Sequence, residues 1–396
     1  MTKAKRWGVG ATLLAVLLAA VCAAVVGGSA SAGGREPITI GWAFDASGRM
    51  APFDGPALAA ARIRVRQINA RGGVNGRPLA LDTCNTNDNN PARAKGCARG
   101  LLDRGADIVF VTCDVDFATP VVQEAINRGV LAIAPCIGTD QMGPKRFGAK
   151  GKLAFSFGNA AQDEGSAMAE YSYRRGWRTA ALGTNTVIVY FKDVVKAFEA
   201  RFTQLGGKIV TRETYATGAN NVNAAVSRLN GAKADVIVTS TAFGELPALV
   251  SGLRSLGNRT PIINSWAGDG TYWVPKSPAI SDYYAVTYAS VFGDDPSKEV
   301  RALAKAVKAG TGGFVTGAAA IDGVVAAIRR SSGSTTGATL AARLERFKKV
   351  PTISGLVSFS PQLHSVFGRQ YRVVKITNGK ARYVGGVTAK VVPKID

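Results

Sequence analysis

From residue 37 onward, short continuous apolar runs alternate with longer stretches whose apolar positions recur at helical spacing. Pro37 opens the first run, Ile38-Thr39-Ile40-Gly41-Trp42-Ala43-Phe44. A loop with Ser47, Gly48 and Gly55 follows, and the spacing then predicts a helix from Pro56 to about Ala70. Leu58, Ala61, Val65 and Ile68 share one face of it, and Gly72-Gly73 ends it. The same reading gives strands at 78–82, 107–112 and 130–134, and helices at 91–104 and 120–128. Runs apolar on every position suit parallel strands buried on both faces, and alternation with helices makes a doubly wound α/β domain.

The rhythm restarts near Leu153, with strands expected at 153–157, 178–183, 208–213, 234–239 and 260–264. Helices are expected between them at 161–174, 191–205, 219–229 and 245–256. After about residue 290 the pattern changes to helices at 297–309, 316–331 and 337–348, then strands at 355–359, 370–376 and 381–385. Asn378-Gly379 is a hairpin turn signal between the last two. A chain of 396 residues with this double rhythm is two α/β domains.

The N-terminus reads differently. Lys3, Lys5 and Arg6 precede an apolar run from Val9 to Val26, and Ala30-Ser31-Ala32 fits a small-x-small cleavage site. That is a secretory signal peptide cut after Ala32. An uncleaved membrane anchor and lipid attachment at Cys22 are the alternatives, although Val21 is bulky where a lipobox wants a small residue. Four cysteines remain beyond the leader: Cys84, Cys97, Cys113 and Cys136. In an oxidising compartment an even count reads as two disulfides. The preferred pairs are Cys84 with Cys97 and Cys113 with Cys136, the second joining the ends of two neighbouring parallel strands.

Catalytic signatures do not emerge. The sequence holds no P-loop, no G-x-G-x-x-G after the first strand, no G-x-S-x-G and no H-E-x-x-H. The single histidine, His364, sits beside Ser365 in a polar stretch and reads as a surface loop residue. Exported α/β domains without catalytic machinery point to ligand capture in a cleft between the carboxyl ends of two sheets.

The run Ile68-Asn69-Ala70-Arg71-Gly72-Gly73-Val74-Asn75-Gly76-Arg77-Pro78-Leu79 resembles the segment after the first helix of type I periplasmic binding proteins, the leucine/isoleucine/valine-binding-protein-like solute receptors of ABC transporters. Ser47-Gly48 ahead of Phe53, Asn89-Asn90-Pro91-Ala92-Arg93-Ala94 after Cys84, and Gly105-Ala106-Asp107-Ile108-Val109 are similar. The resemblance implies two Rossmann-like lobes joined by three crossovers, a Venus-flytrap that closes on its solute. Lobe 1 would be 37–157 plus 288–354, and lobe 2 158–287 plus 355–396. It implies a small-molecule solute, a membrane permease as partner, no catalysis and no cofactor.

Family contacts carried over fall on Thr139 after the fourth strand and on Tyr190 in lobe 2. The loop after the third strand, which carries hydroxyls in the family, holds Asp114, Asp116 and Phe117 here. Those acids suit a cationic or donor-rich solute, or else they cap the following helix. Ala242-Phe243 replaces an expected tyrosine, and Trp266 falls near the place of an ammonium-pairing acid, with Asp269 three residues on. Phe53, Tyr190, Phe243, Trp266 and Tyr272 would line an aromatic pocket, or else belong to the core.

The formal charge is +22, and +19 once Lys3, Lys5 and Arg6 leave with the leader. The basic residues are scattered over helices such as 62–66 and 343–349 and form no stripe with aromatics, so nucleic acid is not the expected partner. Anionic headgroups or wall polymers are the expected surroundings. The reading is therefore an extracytoplasmic solute-binding protein for an amino-acid-like, amide or aromatic/cationic solute. A sensing clamshell and an exported α/β enzyme are its rivals.

Overall fold

A computed structural model gives the structure of the chain and describes residues 35–275 and 279–395. The leader read at 1–32 lies outside the described residues. Strand β1 (Ile38–Phe44) is followed by α1 (Ala51–Asn69), β2 (Leu79–Asn85), α2 (Pro91–Asp103), β3 (Ile108–Phe110), α3 (Val115–Asn127) and β4 (Leu131–Ala134). A short α4 (Pro144–Phe147) leads to β5 (Ala154–Asn159). The chain then crosses to α5 (Ala161–Arg174), β6 (Thr179–Asn185), α6 (Val189–Gln204), β7 (Lys208–Tyr215), α7 (Ala219–Gly231), β8 (Val236–Ser240), α8 (Glu245–Ser255), β9 (Ile262–Asn264) and β10 (Tyr283–Thr287). It returns for α9 (Lys298–Val307), α10 (Phe314–Arg329), α11 (Gly337–Leu344), the hairpin β11 (Val350–Thr352) and β12 (Gly355–Val357), and β13 (Ser365–Val366). It ends with β14 (Tyr371–Thr377) and β15 (Lys380–Val387).

Two sheets result. The first runs β13-β5-β4-β3-β1-β2 and is parallel throughout. The second runs β15-β14-β10-β9-β8-β6-β7, parallel as far as β10, with β14 and β15 added antiparallel through the Asn378-Gly379 turn. Ile108, Val109 and Phe110 of β3 and Leu131 through Ala134 of β4 have no exposed surface, which is why they carry no polar alternation. Helix α10 lies so close on α1 that a Cβ on Gly317 would collide with the Ala57 carbonyl. Gly165 allows the same close approach of α5 to Val194 on α6.

The chain passes between the sheets after β5, after β10 and after β13. Side chains from all three passages meet in one buried knot. Asp163 accepts hydrogen bonds from Asn159 Nδ2 at 3.2 Å, the Gly368 amide at 2.8 Å and the Tyr371 hydroxyl at 3.0 Å. The Arg369 guanidinium, fully buried, bonds the Phe157 carbonyl at 2.7 Å and lies 5.2 Å from the Tyr288 ring centre.

Several expectations shift. The first helix starts at Ala51 and carries Gly55 and Pro56 inside it, and the third starts at Val115 with Pro120 inside it. Strand β13 (Ser365–Val366), within the stretch 355–396 expected for lobe 2, pairs with β5 in the first sheet. His364 is not a surface residue: it is 1% exposed, stacks on Phe155 with ring centres 3.9 Å apart, and bonds the Ala154 carbonyl through Nδ1. The cysteines pair as Cys84–Cys97 and Cys113–Cys136, with Cα separations of 5.6 and 4.8 Å.

Candidate functional site

The carboxyl ends of β3 and β4 carry the two loops that face the second lobe, and the Cys113–Cys136 bridge ties those loops together. Asp114 leaves β3 extended and caps α3, its Oδ1 accepting the Asp116 and Phe117 amides at 2.9 and 3.3 Å. Asp54, in the first turn of α1, accepts the Cys113 amide at 2.9 Å and the Asp45 amide at 2.8 Å, which fixes the loop from behind.

Opposite lie the start of α6, with Tyr190 and Phe191, and the loops after β8 and β9, with Phe243 and Trp266. Phe243 holds φ of 54°, a left-handed conformation that costs a bulky residue about 1–3 kcal/mol and clusters at functional sites. Phe53 from lobe 1 meets Trp266 edge-on at 5.3 Å and Phe243 at 6.4 Å between ring centres. Tyr190 lies 6.0 Å from Trp266. Together with Asp114, Cys113 and Met50 these rings enclose a cavity of about 20 Å³, room for roughly one water. A bound solute therefore requires the lobes to part or the rings to turn.

The electrostatics run acidic. Burial pushes Asp114 up to about 7, aided by the Asp116 charge, and raises Asp54 to about 7. Glu164, behind the aromatic face, is pushed up to about 8 by burial; it accepts the Trp266 amide at 2.7 Å and the Tyr190 hydroxyl at 2.8 Å. Among the described residues no lysine, arginine or histidine lines the cavity. Beside it the Arg49 guanidinium stands 5.8 Å from the Phe117 ring and 5.7 Å from the Phe243 ring. The indole Nε1 of Trp266 is buried without a hydrogen-bond partner.

Of the residues singled out in the sequence, Phe53, Asp114, Tyr190, Phe243 and Trp266 line the cavity. The others stand around it. Asp116 accepts the Val189 amide at 3.0 Å across the lobes and pairs with Arg146 at 2.9 Å. Thr139 does not face the cavity; its hydroxyl reaches Asp193 at 3.3 Å. Asp269 accepts the Gly312 amide at 2.7 Å and the Thr287 hydroxyl, again outside the cavity. Phe117 packs under Arg49, and Tyr272 is 41% exposed with its ring 6.1 Å from Phe53. Glu164 and Phe191 escaped the sequence reading. The signal for Phe191 was its place beside Tyr190, whereas nothing local marks Glu164 in the first turn of α5.

Wider grooves of about 460 Å³ along α1 and α10 and about 520 Å³ beside α9 lie on the surface. In the first, Arg64 is already paired with Asp322 and Glu299, so its charges satisfy each other. Among the described residues no group of three or more His, Cys, Asp or Glu is placed to hold a metal ion.

Residues 37–381 match the family model of a periplasmic binding protein. The chain belongs to this family. A curated relative, the Leu/Ile/Val-binding protein BraC3 of Rhizobium johnstonii, is 24% identical over 81% of this chain and 87% of its own length. The branched-chain amino acid transporter substrate binding protein LivJ of Streptococcus pneumoniae, solved with isoleucine, superposes with a TM-score of 0.74 at 21% identity, covering 88% of this chain and 99% of that one. A solute binding protein of an R. palustris ABC transporter, solved with benzoate, gives 0.72 at 18% identity over 90% and 98%. Members of the family are two-lobed solute-binding proteins, and the sheets and crossovers described above are that fold.

Proposed function

We propose that the chain captures a small organic solute between its lobes outside the cytoplasm and delivers it to the membrane permease of an ABC importer. The observation that carries this is the convergence of Phe53, Asp114, Tyr190, Phe243 and Trp266 on one cavity where the carboxyl ends of the two sheets face each other. The solute favours the closed form only through contacts it makes there and not in the open form. The relatives bind solutes as different as isoleucine and benzoate, which supports an amino-acid-like, amide or aromatic/cationic solute without choosing among them.

A thermal-shift screen of amino acids, amides, amines and aromatic acids tests the reading. A saturable shift with the ligand recovered unchanged is expected, and conversion of the ligand to product would overturn it. Export with cleavage near Ala32 is part of the same reading, and intact mass of the protein from its native host checks it. The charge of +19 supports peripheral contact with anionic membrane or wall. Sedimentation with anionic vesicles at low salt, lost at high salt, is the matching result.

A further inference from the structure

The chemistry of the cleft narrows the solute further. Resting on the reading above, we propose that this site selects an organic cation, an ammonium on a compact apolar or aromatic body with a neighbouring neutral oxygen, over carboxylate-bearing solutes. Three independent features of the cavity lead there.

The first is the charge balance. Asp114 is 3% exposed and lines the cavity, and its Oδ1 is spent on the two cap amides. Among the described residues no hydrogen bond reaches its Oδ2, so one carboxylate oxygen remains for the solute. Among the described residues the lining carries no cation to meet a carboxylate, and Asp54 and Glu164 stand behind it on opposite sides. A carboxylate brought into this lining would be desolvated with no cation to meet it, which is costly. An ammonium would find the Asp114 carboxyl, which it would draw into its ionised form.

The second is the wall. Phe53, Tyr190, Phe191, Phe243 and Trp266 form a chain of ring contacts, each link between 5.3 and 6.4 Å. Ring faces attract ammonium groups by about 0.5–1 kcal/mol each when exposed and more when desolvated. Phe243 already accepts a cation from Arg49, whose guanidinium stands 5.7 Å from its ring centre. The third is Trp266, a lining ring whose buried Nε1 has no acceptor. That atom lies on the Gly138 side of the ring, and a solute oxygen reaching it as the lobes part would satisfy it.

Titration calorimetry on the chain from residue 33 onward tests this with 2-phenylethylamine, 2-phenylacetamide and phenylacetate, which share a body and differ in charge. Choline, tetramethylammonium and leucine follow. The amine is expected to bind at least tenfold tighter than phenylacetate. Asn is also a good helix cap, so Asp114→Asn should fold with nearly the same melting temperature. In it, the preference for amine over amide should fall at least tenfold. Trp266→Phe should weaken choline severalfold more than tetramethylammonium. Tighter binding of phenylacetate or leucine than of the amines would overturn the cation class and leave solute capture standing. An unchanged amine-to-amide ratio in Asp114→Asn would overturn the role of Asp114 and reduce it to a helix cap. Chemical conversion of any probe would overturn solute capture itself.

Discussion

Glu164 is a carboxyl group with no exposed surface, yet both of its oxygens organise the aromatic face, one through the Trp266 amide and one through the Tyr190 hydroxyl. Replacing it with glutamine keeps an acceptor for Trp266 and removes the proton equilibrium. Burial raises this group from 4.5 to about 8. Between those values the native protein holds a proton that the unfolded chain releases. Unfolding then loses protons as pH rises, so the stability of the native state falls with pH across that window and levels off above about 8. At 1.36 kcal/mol per pH unit the full loss is about 5 kcal/mol. Asp54 and Asp114 are raised by burial in the same direction and give wild type and variant a common slope. Asp163 and Asp269 repel the Glu164 charge, so the difference between the two proteins reports Glu164 together with that repulsion. Urea unfolding at pH 5, 6, 7 and 8 is expected to show Glu164→Gln close to wild type at pH 5, with its relative stability growing to several kcal/mol at pH 8. A difference that stays constant over this range would refute the argument, because it would mean that the carboxyl titrates alike in both states.

Three further outcomes follow from contacts around the cleft. A Cβ on Gly138 would lie 2.8 Å from Tyr190 Cδ2 and 3.2 Å from Trp266 Nε1, so Gly138→Val should wedge the lobes apart. It should weaken solute binding at least tenfold, with a larger radius of gyration by small-angle scattering and little change in melting temperature. Removing the guanidinium between Phe117 and Phe243 in Arg49→Ala costs about 0.5–1 kcal/mol of closed-state contact, which stopped-flow should read as two- to fivefold faster solute release. The Cys84–Cys97 bridge closes a 13-residue separation, so the double serine variant should lose about 3 kcal/mol of unfolding free energy with solute affinity kept.

Much of the fold was legible because buried parallel strands are written as apolar runs and most helices stop near a glycine. The helix starts were harder. Pro56 and Pro120 look like first-turn prolines, yet each lies in the second turn of a helix that begins at Ala51 or Val115. The true start of α3 is set by Asp114, whose cap role depends on its φ and ψ and not on spacing alone. His364 was misread because its sequence neighbours are polar, whereas its spatial neighbours are Phe155 and the Ala154 carbonyl. The site was half legible. Rings after strand ends could be guessed, but Thr139 and Asp269 turn to partners that come from the other lobe, and pairing across a cleft leaves no local pattern.

Those crossing contacts bear on how tightly any solute can be held. Asp116 to Val189, Thr139 to Asp193, Gln162 to Asp140 and Gly312 to Asp269 are all made between protein groups, independent of what fills the cavity. Each contributes about 0.5–1.5 kcal/mol net when formed. They lower the free energy of the closed form by a fixed amount, so the solute has correspondingly less to supply. Apparent affinity equals intrinsic affinity scaled by the fraction of molecules competent to bind. The acids at 116, 140, 193 and 269 therefore act on affinity for every solute alike. Asp114 and the rings, which face the cavity itself, decide between one solute and another. The two sets adjoin in sequence, Asp116 beside Asp114 and Asp269 three residues after Trp266, and the Asp116 charge also acts on Asp114. Thr139, Asp140, Gln162 and Asp193 stand outside the cavity lining, so changes there alter the strength of capture while leaving the choice of solute to Asp114 and the rings.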